Sequence, residues 1–423
     1  PSLPLQAGAG PGSPCPGPPV RERERGSTRI GVAEPVRSPR ARPSVGPMTD
    51  SPLHLDHPDA PRIIVLGATG YAGSLVVDAL VAQGARPVLA GRNRDSLQHA
   101  ARRHDGLEVA VADAGDPASL RALVTEGDVL VSTVGPFERY GRPVARAAAE
   151  RGAHYVDSTG EVGFVKDLKA DLDATARRTG ATLLPALGFD YAPGMLAGGL
   201  ALAQAGGRAR SLQIGYFADG ELDPRVDLSH GTRQTMVGAL TERTITWRGG
   251  RLATTGPASR SAVFRVDGQD RRGVLFGGTE SLFLPRMQPG LDEVEVFNGW
   301  FPARPTQIGA AALGAVGWLP GVARGVQALL RPLAGDPGGP DAADRARTGS
   351  RVGAIARDAA GRIVADVHLR GPNAYTLTGD LMAWGARQLA AGRAREAGVV
   401  SPIQAFGLDD FETACTAAGL VRA

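Results

Sequence analysis

Three glycines early in the sequence have the spacing of a phosphate-binding turn. Gly67, Gly70 and Gly73 follow the apolar run Ile63–Leu66 and lead into a helical pattern. In such a turn the first glycine permits a tight bend, the second lets the backbone approach a pyrophosphate, and the third lets helix and strand pack closely. The helix N-terminus adds unpaired N–H groups and a positive partial charge. The alternative is a glycine-rich turn that binds no nucleotide. The predicted phosphate-binding residues are Gly67, Thr69, Gly70, Tyr71, Ala72 and Gly73.

The end of the second strand-like run bears on the choice of dinucleotide. Proteins that bind NAD commonly place an acidic residue here, about twenty residues after the glycine turn, to bind the ribose 2′-hydroxyl. In this sequence Arg92 and Arg94 occupy the segment, and the first carboxylate is Asp95. A guanidinium suits a 2′-phosphate, so Arg92 favours NADP, with NAD as the alternative. The other reading of Arg92 is a solvated surface charge. Asp113, after the third run, is expected either to reach the adenine or only to cap a turn.

Small and polar residues follow the fourth strand-like run, at the carboxyl edge of the expected sheet. Open α/β sheets hold their ligands at this edge. Thr133 and Gly135 are therefore predicted to lie beside the nicotinamide ribose. Phe137 is expected either to pack on the nicotinamide ring or to belong to the core.

Two common ways of assisting hydride transfer are absent from the sequence. Short-chain dehydrogenases use a tyrosine with a lysine four residues later, but Lys166 and Lys169 are the only lysines and neither follows a tyrosine at that offset. The two cysteines, Cys15 and Cys415, lie at opposite ends of the chain, and the seven histidines form no ligand cluster. A zinc site is therefore not expected.

The hydrophobic pattern supplies a scaffold for these residues. Short apolar runs alternate with helical stretches of about ten residues, which is typical of βαβ units in a parallel sheet covered on both faces. Right-handed crossovers make this an α/β fold, a doubly wound Rossmann domain. The predicted strands are 63–66, 87–90, 108–111, 129–132, 154–157 and 181–184, with helices at 71–83, 95–104, 117–125, 143–151 and 166–178.

After residue 187 the pattern changes to runs typical of antiparallel strands between glycine-rich turns, which predicts a second, α+β substrate domain. The predicted strands are 211–217, 244–247, 262–266, 272–275 and 294–297, with a hairpin at 351–357 and 362–369; helices are predicted at 232–240, 307–330 and 376–391, and a loop at 335–347. The predicted domains are a disordered extension (1–58), the Rossmann domain (59–188), the α+β domain (189–360), and a C-terminal strand and helices that pack back on the core (361–423).

Composition narrows the class of protein. Nearly all 47 basic residues of the 423-residue chain are arginines, the net charge is only +4, and no basic run is interleaved with aromatics, so nucleic-acid binding is not expected. The cysteine usage and the lack of a secretory signal predict a cytoplasmic protein. The apolar stretch 308–323 is too short to predict a membrane span. It is expected to form two helices in a core or beside an apolar substrate, with a peripheral membrane contact as the alternative.

The first 47 residues are rich in Pro, Gly, Ser and Arg and precede Met48. Such a segment cannot bury enough apolar surface to offset its ordering entropy. We expect it to be disordered or to lie upstream of the natural start, and to be dispensable for function. A homo-oligomer is one option for the assembly.

Short blocks from residue 62 to the C-terminus resemble the saccharopine dehydrogenase-like oxidoreductases, a family that includes proteins described as trans-acting enoyl reductases. The order and spacing of the blocks carry this resemblance. The blocks are 67–70 (GATG), 132–137 (STVGPF), 155–161 (YVDSTGE), 188–190 (GFD), 229–232 (SHGT), 371–375 (GPNAY) and 400–402 (VSP).

The resemblance implies an NAD(P)-binding Rossmann domain, a substrate domain, and hydride transfer to or from a C=N or C=C bond of a small or acyl-type metabolite. Two departures fall on the substrate side. Tyr191 follows Gly-Phe-Asp where relatives often have Ser, and Asn373 and Ala374 replace a frequent Asp-Pro. The substrate of the family is therefore not carried over to this chain.

Hydride addition also requires a proton, and a positioned acid typically contributes about 10²–10⁴-fold to the rate. For each candidate the alternative is a structural role, as a strand-end cap, a buried hydroxyl or a turn. A non-catalytic NAD(P)-binding protein that senses redox state or scaffolds a partner is the alternative function. The candidate proton donors are Asp157, Asp190, Tyr191, His230 and Tyr375.

Overall fold

The computed structural model describes residues 61–220, 223, 226–233, 243–300, 302–316 and 338–423. The predicted extension, residues 1–58, lies outside the described residues. So do most of the helix predicted at 232–240 and the second half of the helix predicted at 307–330.

The first half of the described chain alternates between strands and helices. These are β1 (Ile63–Leu66), α1 (Tyr71–Ala82), β2 (Val88–Gly91), α2 (Arg94–Arg102), β3 (Val109–Val111), α3 (Pro117–Leu123), β4 (Val129–Ser132), α4 (Phe137–Arg151), β5 (His154–Asp157), α5 (Val162–Thr179) and β6 (Thr182–Leu184). Together with β15 (Gly398–Val399), the described strands form a parallel sheet in the order β15-β6-β5-β4-β1-β2-β3. The order from β3 to β6 is that of a doubly wound Rossmann sheet, which confirms the predicted fold class.

Burial on both faces explains the apolar runs of this sheet. Every residue of β1 and β4 is buried, so these strands read as continuous apolar segments rather than as alternating ones. Helix α1 covers one face and buries a single stripe, consisting of Gly73, Val76, Val77 and Leu80. The carboxyl ends of the strands are thereby left as one edge, open to loops from the rest of the chain.

The second half of the described chain builds another sheet. Its elements are α6 (Ala192–Ala205), β7 (Ser211–Asp219), β8 (Thr244–Arg248), β9 (Arg251–Thr255), β10 (Ser261–Val266), β11 (Gln269–Leu275), α7 (Glu280–Phe283), a 3₁₀ turn (Leu284–Arg286), β12 (Glu293–Asn298), α8 (Ala303–Val316), α9 (Ala342–Arg347), β13 (Gly349–Arg357), β14 (Ile363–Gly371), α10 (Ala374–Ala390), α11 (Pro402–Phe406), α12 (Leu408–Ala417) and β16 (Val421–Arg422). The described strands follow the order β10-β11-β12-β7-β13-β14-β16, with β8 and β9 branching from β12.

One pairing differs from the expectation of antiparallel strands. Strands β7 and β12 run parallel, with Ser211 opposite Glu293. Between them the chain makes the hairpins β8–β9 and β10–β11 and then returns in its original direction. Side chains alternate with a period of two in both kinds of pairing, so the residue pattern could not distinguish them.

Helix α6 is not predicted from the sequence because it lacks a polar face. Only Ala203 and Gln204 are exposed, and the helix packs across β7, β13 and β14. A helix that is buried all round has no amphipathic period. Asp190 and Tyr191 therefore immediately precede a rigid, buried element.

Two further boundaries differ from the sequence-based expectations. Helix α4 begins at Phe137 rather than at Pro143, because the carboxylate of Glu161 accepts the N–H groups of Phe137 (2.9 Å) and Glu138 (2.7 Å). This cap comes from a distant part of the chain and leaves no local signal. The expected loop 335–347 contains helix α9, which begins with a capping box formed by Asp341 and a second Asp three residues later.

The end of the chain returns to the first sheet. Helix α10 packs on α1 and contacts β4 and β5, and β15 pairs with β6. This return brings the start of α10, with Tyr375 and Thr378, to the carboxyl edge of the parallel strands. Within the described ranges, no helix has both the length and the apolar character needed to cross a membrane.

Candidate functional site

The glycine turn joins β1 to α1, and its three glycines face different surroundings. Gly67 has φ +90°, and a Cβ there would approach Thr133 Oγ1 to 2.6 Å. A Cβ at Gly73 would collide with the carbonyl group of Gly67. Gly70 has an extended backbone (φ −77°), and the nearest atom to a Cβ there is Gly67 O at 3.2 Å. The first and third glycines are therefore required by packing, whereas the second is not.

The ligand side of the turn is open. Thr69 and Gly70 are exposed, and Tyr71 and Ala72 are half-buried. No side chain caps the N-terminus of α1, so its first N–H groups are available to an anion. The turn therefore fits the pyrophosphate of a dinucleotide.

Thr133 stabilises the turn from the neighbouring strand. Its N–H donates to Leu66 O (3.0 Å), and its hydroxyl lies 3.3 Å from both Leu66 O and Gly67 O. Gly135 is exposed beyond the end of β4. Phe137 is buried and its ring centroid lies 5.9 Å from that of Phe164, which assigns Phe137 to the core.

Two arginines follow the end of β2. Arg92 and Arg94 are exposed, and neither forms a hydrogen bond or ion pair with another described residue. Asn93 caps α2 by accepting the N–H of Ser96 at 3.0 Å. Asp113 accepts the N–H of Gly115 at 2.8 Å, which is the turn cap that the sequence left as one of two options. The guanidinium groups are thus available to a ligand at this edge.

The carboxyl end of β5 organises the segment 186–191. One carboxylate oxygen of Asp157 accepts the N–H groups of Ala186 (2.8 Å) and Thr159 (2.9 Å), and Asp157 O accepts the N–H of Leu187 (2.8 Å). The hydroxyl of Tyr191 donates to Gly160 O at 2.7 Å. Burial raises the pKa of Asp157 to about 6. Asp157 and Tyr191 therefore fix the loop that carries Asp190.

Tyr375 and Tyr71 connect this segment to the glycine turn. Their rings meet edge to face with centroids 5.2 Å apart. The Tyr375 hydroxyl accepts the N–H of Ser229 (2.7 Å) and donates to Thr232 Oγ1 (2.8 Å). The Tyr71 hydroxyl donates to Pro340 O at 2.6 Å.

His230 lies between Ser229 and Thr232, the two residues that bond to Tyr375. Its backbone N–H donates to Gly338 O at 3.0 Å. This contact joins residues 229–232 to the segment that begins at 338. Through Tyr71 and Tyr375, both segments are connected to the first turn of α1.

Asp190 differs from the other candidates. It is half-buried, and its carboxyl group makes no hydrogen bond or ion pair with another described residue. Burial raises its pKa to about 6. Its charge also contributes to the raised pKa values of Tyr375 and Glu280, which burial raises first.

Glu280 and Tyr216 belong to the same region but are not singled out by the sequence. Tyr216 OH donates to Glu280 Oε1 at 2.7 Å and accepts the N–H of Gly194 at 2.8 Å. Phe189, beside Asp190, stacks on Trp300 with centroids 5.7 Å apart. The one local signal for Glu280 is a carboxylate that follows Gly277, Gly278 and Thr279 in an otherwise apolar stretch.

Comparisons with known proteins agree with this geometry. Residues 63–184 match the family described as the saccharopine dehydrogenase NADP binding domain. A putative trans-acting enoyl reductase of Mycobacterium tuberculosis is 36% identical over 155 residues, which is 34% of this chain and 35% of that protein. A trans-acting enoyl reductase of Mycobacterium leprae is 36% identical over 137 residues, covering 31% of this chain and 33% of that protein. Each match thus spans about a third of the length of these curated relatives.

The likeness to a solved structure extends further along the chain. Saccharopine dehydrogenase (L-Glu forming) of Saccharomyces cerevisiae superposes with a TM-score of 0.59 over 86% of this chain and 99% of that protein, at 13% identity. At this identity the likeness concerns the fold. Residues 63–184 therefore match the saccharopine dehydrogenase NADP binding domain family, and the fold of the chain is similar to that of saccharopine dehydrogenase.

Proposed function

We propose that the chain is an NADP-dependent oxidoreductase that transfers hydride to a C=N or C=C bond of a small or acyl-type substrate. The observation that supports this most strongly is the position of Asp190. Its loop is held at the carboxyl end of β5 by Asp157, in the sheet that carries the glycine turn at the carboxyl end of β1. When bound, the nicotinamide supplies the hydride. The residues of the chain bind the cofactor, orient the substrate and supply the proton.

The binding of the dinucleotide depends on the glycine turn and on Arg92. The pyrophosphate would lie over Gly70 at the N-terminus of α1, where N–H groups and the helix dipole favour an anion. Arg92, with its exposed guanidinium, would pair with the 2′-phosphate. Thr133 would position the turn rather than contact the nicotinamide ribose, because its hydroxyl lies against the turn carbonyls.

Asp190 is the proposed proton donor. A donor must reach the substrate and keep a proton near the working pH, and a carboxyl group with a raised pKa and some solvent access satisfies both requirements. The hydroxyl groups of Tyr191 and Tyr375 already donate to Gly160 O and Thr232 Oγ1. Asp157 is fully buried and accepts two backbone N–H groups. These contacts favour structural roles for Asp157, Tyr191 and Tyr375.

The surroundings of Asp190 favour a substrate that is apolar near the reacting bond. Phe189, the residue that precedes Asp190, stacks on Trp300, and aromatic faces bind apolar groups. An enoyl group on an acyl chain matches this environment and the names of the similar trans-acting enoyl reductases. A neutral imine is the second acceptor class to be tested.

The test is NADPH oxidation with an enoyl thioester and with a cyclic imine, in wild type and in Gly70→Asp. We expect turnover with one of the two classes, and loss of NADPH binding in Gly70→Asp because a carboxylate there blocks and repels the pyrophosphate. Cofactor fluorescence measures the binding. Equal NADPH affinity in both proteins would contradict the phosphate site. Tight binding without turnover of either class would favour the non-catalytic alternative.

A further inference from the structure

The glycine turn itself brings no cationic side chain to a pyrophosphate. Residues 67–73 contain neither lysine nor arginine, and the first turn of α1 carries no charged side chain. The N-terminus of a helix is equivalent to about half a positive elementary charge, whereas each phosphate of a dinucleotide carries a full negative charge. A cation from another part of the chain is therefore expected beside this turn.

The segment 338–345, from the second half of the chain, lies directly on Tyr71, the first residue of α1. The hydroxyl of Tyr71 donates to Pro340 O at 2.6 Å, and Pro340 is buried. Gly339 stands against the tyrosine ring, where a Cβ would approach Cε1 of Tyr71 to 2.5 Å. A glycine is thus needed for so close an approach, and the segment is seated on the start of the helix that follows the glycine turn.

Further contacts hold this segment in place. The N–H of His230 donates to Gly338 O at 3.0 Å. In α9, Asp341 and Asp344 form the capping box, and Arg347 pairs with Asp344 at 2.6 Å. Strand β13 of the second sheet begins directly after this helix. The position of the segment over Tyr71 is therefore fixed by a capped helix that leads into the second sheet.

Arg345 lies at the far end of the Tyr71 side chain. Its Nη1 atom donates to Pro340 O at 2.9 Å and lies 3.4 Å from the hydroxyl oxygen of Tyr71. The side chain is half-buried and forms no ion pair with another described residue, and its Nε and Nη2 atoms have no hydrogen-bond partner among those residues. A guanidinium carries five N–H donors. One nitrogen therefore anchors Arg345 at Tyr71, and the other two remain available to an anion.

We propose that Arg345 is a pyrophosphate-binding residue of the dinucleotide site, a cation that the second half of the chain contributes beside the first turn of α1. This role rests on the dinucleotide binding of the proposed function. The planar guanidinium matches the oxygens of a phosphate, with which it forms paired, charge-assisted hydrogen bonds. Arg345 differs in this from Arg92, because NADPH and NADH share the pyrophosphate, whereas only NADPH carries the 2′-phosphate.

The test is a fluorescence titration of the full chain with NADPH and with NADH, in wild type and in Arg345→Met. Methionine keeps a long apolar side chain and removes the charge. Both dissociation constants should rise by the same factor, about ten- to a hundred-fold, because a charge-assisted contact with a phosphate is lost. The ratio of the two constants should stay at its wild-type value, in contrast to its change in Arg92→Asp.

The matched control is Arg347→Met, which removes the same charge from the same helix. Arg347 is exposed and already pairs with Asp344, and an exposed ion pair contributes little. Both dissociation constants should therefore stay close to those of wild type. An equal loss of affinity in Arg347→Met and Arg345→Met would overturn the assignment, because the effect would then be that of net charge.

Arg345→Lys and a salt series separate binding from packing. Lysine keeps the charge but lacks the paired donors, so its dissociation constants should lie between those of wild type and Arg345→Met. Higher ionic strength should weaken binding less in Arg345→Met than in wild type, because one screened contact is missing. If Arg345→Lys binds as weakly as Arg345→Met and the two salt dependences are equal, Arg345 serves packing alone and the proposal is wrong.

The remaining outcomes separate this proposal from the proposed function. Equal affinities in wild type and Arg345→Met would overturn the role of Arg345 and leave NADPH binding intact. A loss confined to NADPH would also overturn it, because Arg345 would then bind the 2′-phosphate. If wild type binds neither dinucleotide, the proposed function fails, and the role of Arg345 fails with it.

Discussion

At the scale of single residues, hydrogen bonding separates the candidate acids of the site. Asp157, Tyr191 and Tyr375 use their polar atoms to hold loops in place. Asp190 has no such contact within the described chain and retains solvent access. A group that holds no part of the fold can be replaced without disturbing the fold. Its removal should therefore reveal a chemical role.

Asp190→Asn should lower kcat for reduction by about 10²–10⁴-fold, because an amide has the same shape but cannot supply the proton. The dissociation constant for NADPH should stay unchanged. Steady-state kinetics and a fluorescence titration measure the two effects. Tyr375→Phe is the matched control and should retain most of the wild-type kcat, since its hydroxyl is bonded to Ser229 and Thr232. A loss of kcat in Tyr375→Phe with an active Asp190→Asn would reverse the assignment.

Arg92 should determine the cofactor preference. Charge-assisted bonds to a 2′-phosphate contribute about 1.5–3 kcal/mol, which corresponds to NADPH binding about ten- to a hundred-fold more tightly than NADH. Arg92→Asp should erase or reverse this ratio and leave the fold intact, because the side chain is exposed. Arg103→Asp, at the other end of α2, is the control and should keep the ratio. If wild type prefers NADH, the NADP assignment is wrong.

The candidate residues that the sequence offered are those that a short local pattern singles out. The glycine turn, Arg92 and Asp190 of the 188–190 block are such candidates. Glu280 could not be found in this way, because its protonation depends on Tyr216 and Asp190, which are 64 and 90 positions away in the chain. Burial that results from long-range packing cannot be predicted from the neighbouring residues in the sequence.

At the scale of elements, the β1–α1 turn shows how one motif serves both packing and binding. Gly67 and Gly73 let the strand, the helix and Thr133 meet, whereas Gly70 faces the open side. The two kinds of glycine should therefore respond differently to the same substitution.

Gly73→Ala should destabilise the protein by about 1–3 kcal/mol, because the added methyl group overpacks the contact with the Gly67 carbonyl. Gly70→Ala should cost less stability, since its φ is −77° and the one close contact of its Cβ is 3.2 Å, with Gly67 O. It should nevertheless weaken NADPH binding, because the methyl group stands where the pyrophosphate approaches. Chemical denaturation and cofactor titration of both variants measure this. Similar stability losses in the two variants would contradict the division of roles.

The elements of the first sheet were predictable because each strand or helix has its own pattern. Strand and helix positions up to β6 agree within a few residues, with the start of α4 as the main exception, because its cap comes from Glu161. Helix α6 was not predicted, because it is apolar on every side and has no amphipathic pattern. The short strands β15 and β16 contain two residues each, too few for any period to appear.

At the scale of the whole molecule, several buried carboxyl groups couple folding to pH. Folded Glu280, whose pKa burial raises to about 8, keeps a proton that the unfolded chain loses above the ordinary pKa of 4.5, so stability should fall as pH rises from about 4.5 to about 8. Asp157 and Asp190 act in the same direction, but only up to about pH 6. Burial lowers the pKa of His154 from its ordinary 6.5, which makes stability rise with pH, but only up to about that value. The interval between about pH 6.5 and 8 therefore separates Glu280 from Asp157, Asp190 and His154.

In this interval the wild-type melting temperature should decrease with rising pH, whereas that of Glu280→Gln should stay nearly constant. One proton retained by the folded state and lost by the unfolded state corresponds to about 1.4 kcal/mol per pH unit, so the effect over the interval is at most about 2 kcal/mol, or a few degrees. Differential scanning calorimetry at matched ionic strength measures both proteins, with Glu295→Gln as the control that should retain the wild-type slope, because Glu295 is also buried but is paired with Arg260. Parallel slopes for wild type and Glu280→Gln would mean that folded Glu280 is already ionised at pH 6.5, and that its burial does not hold a proton.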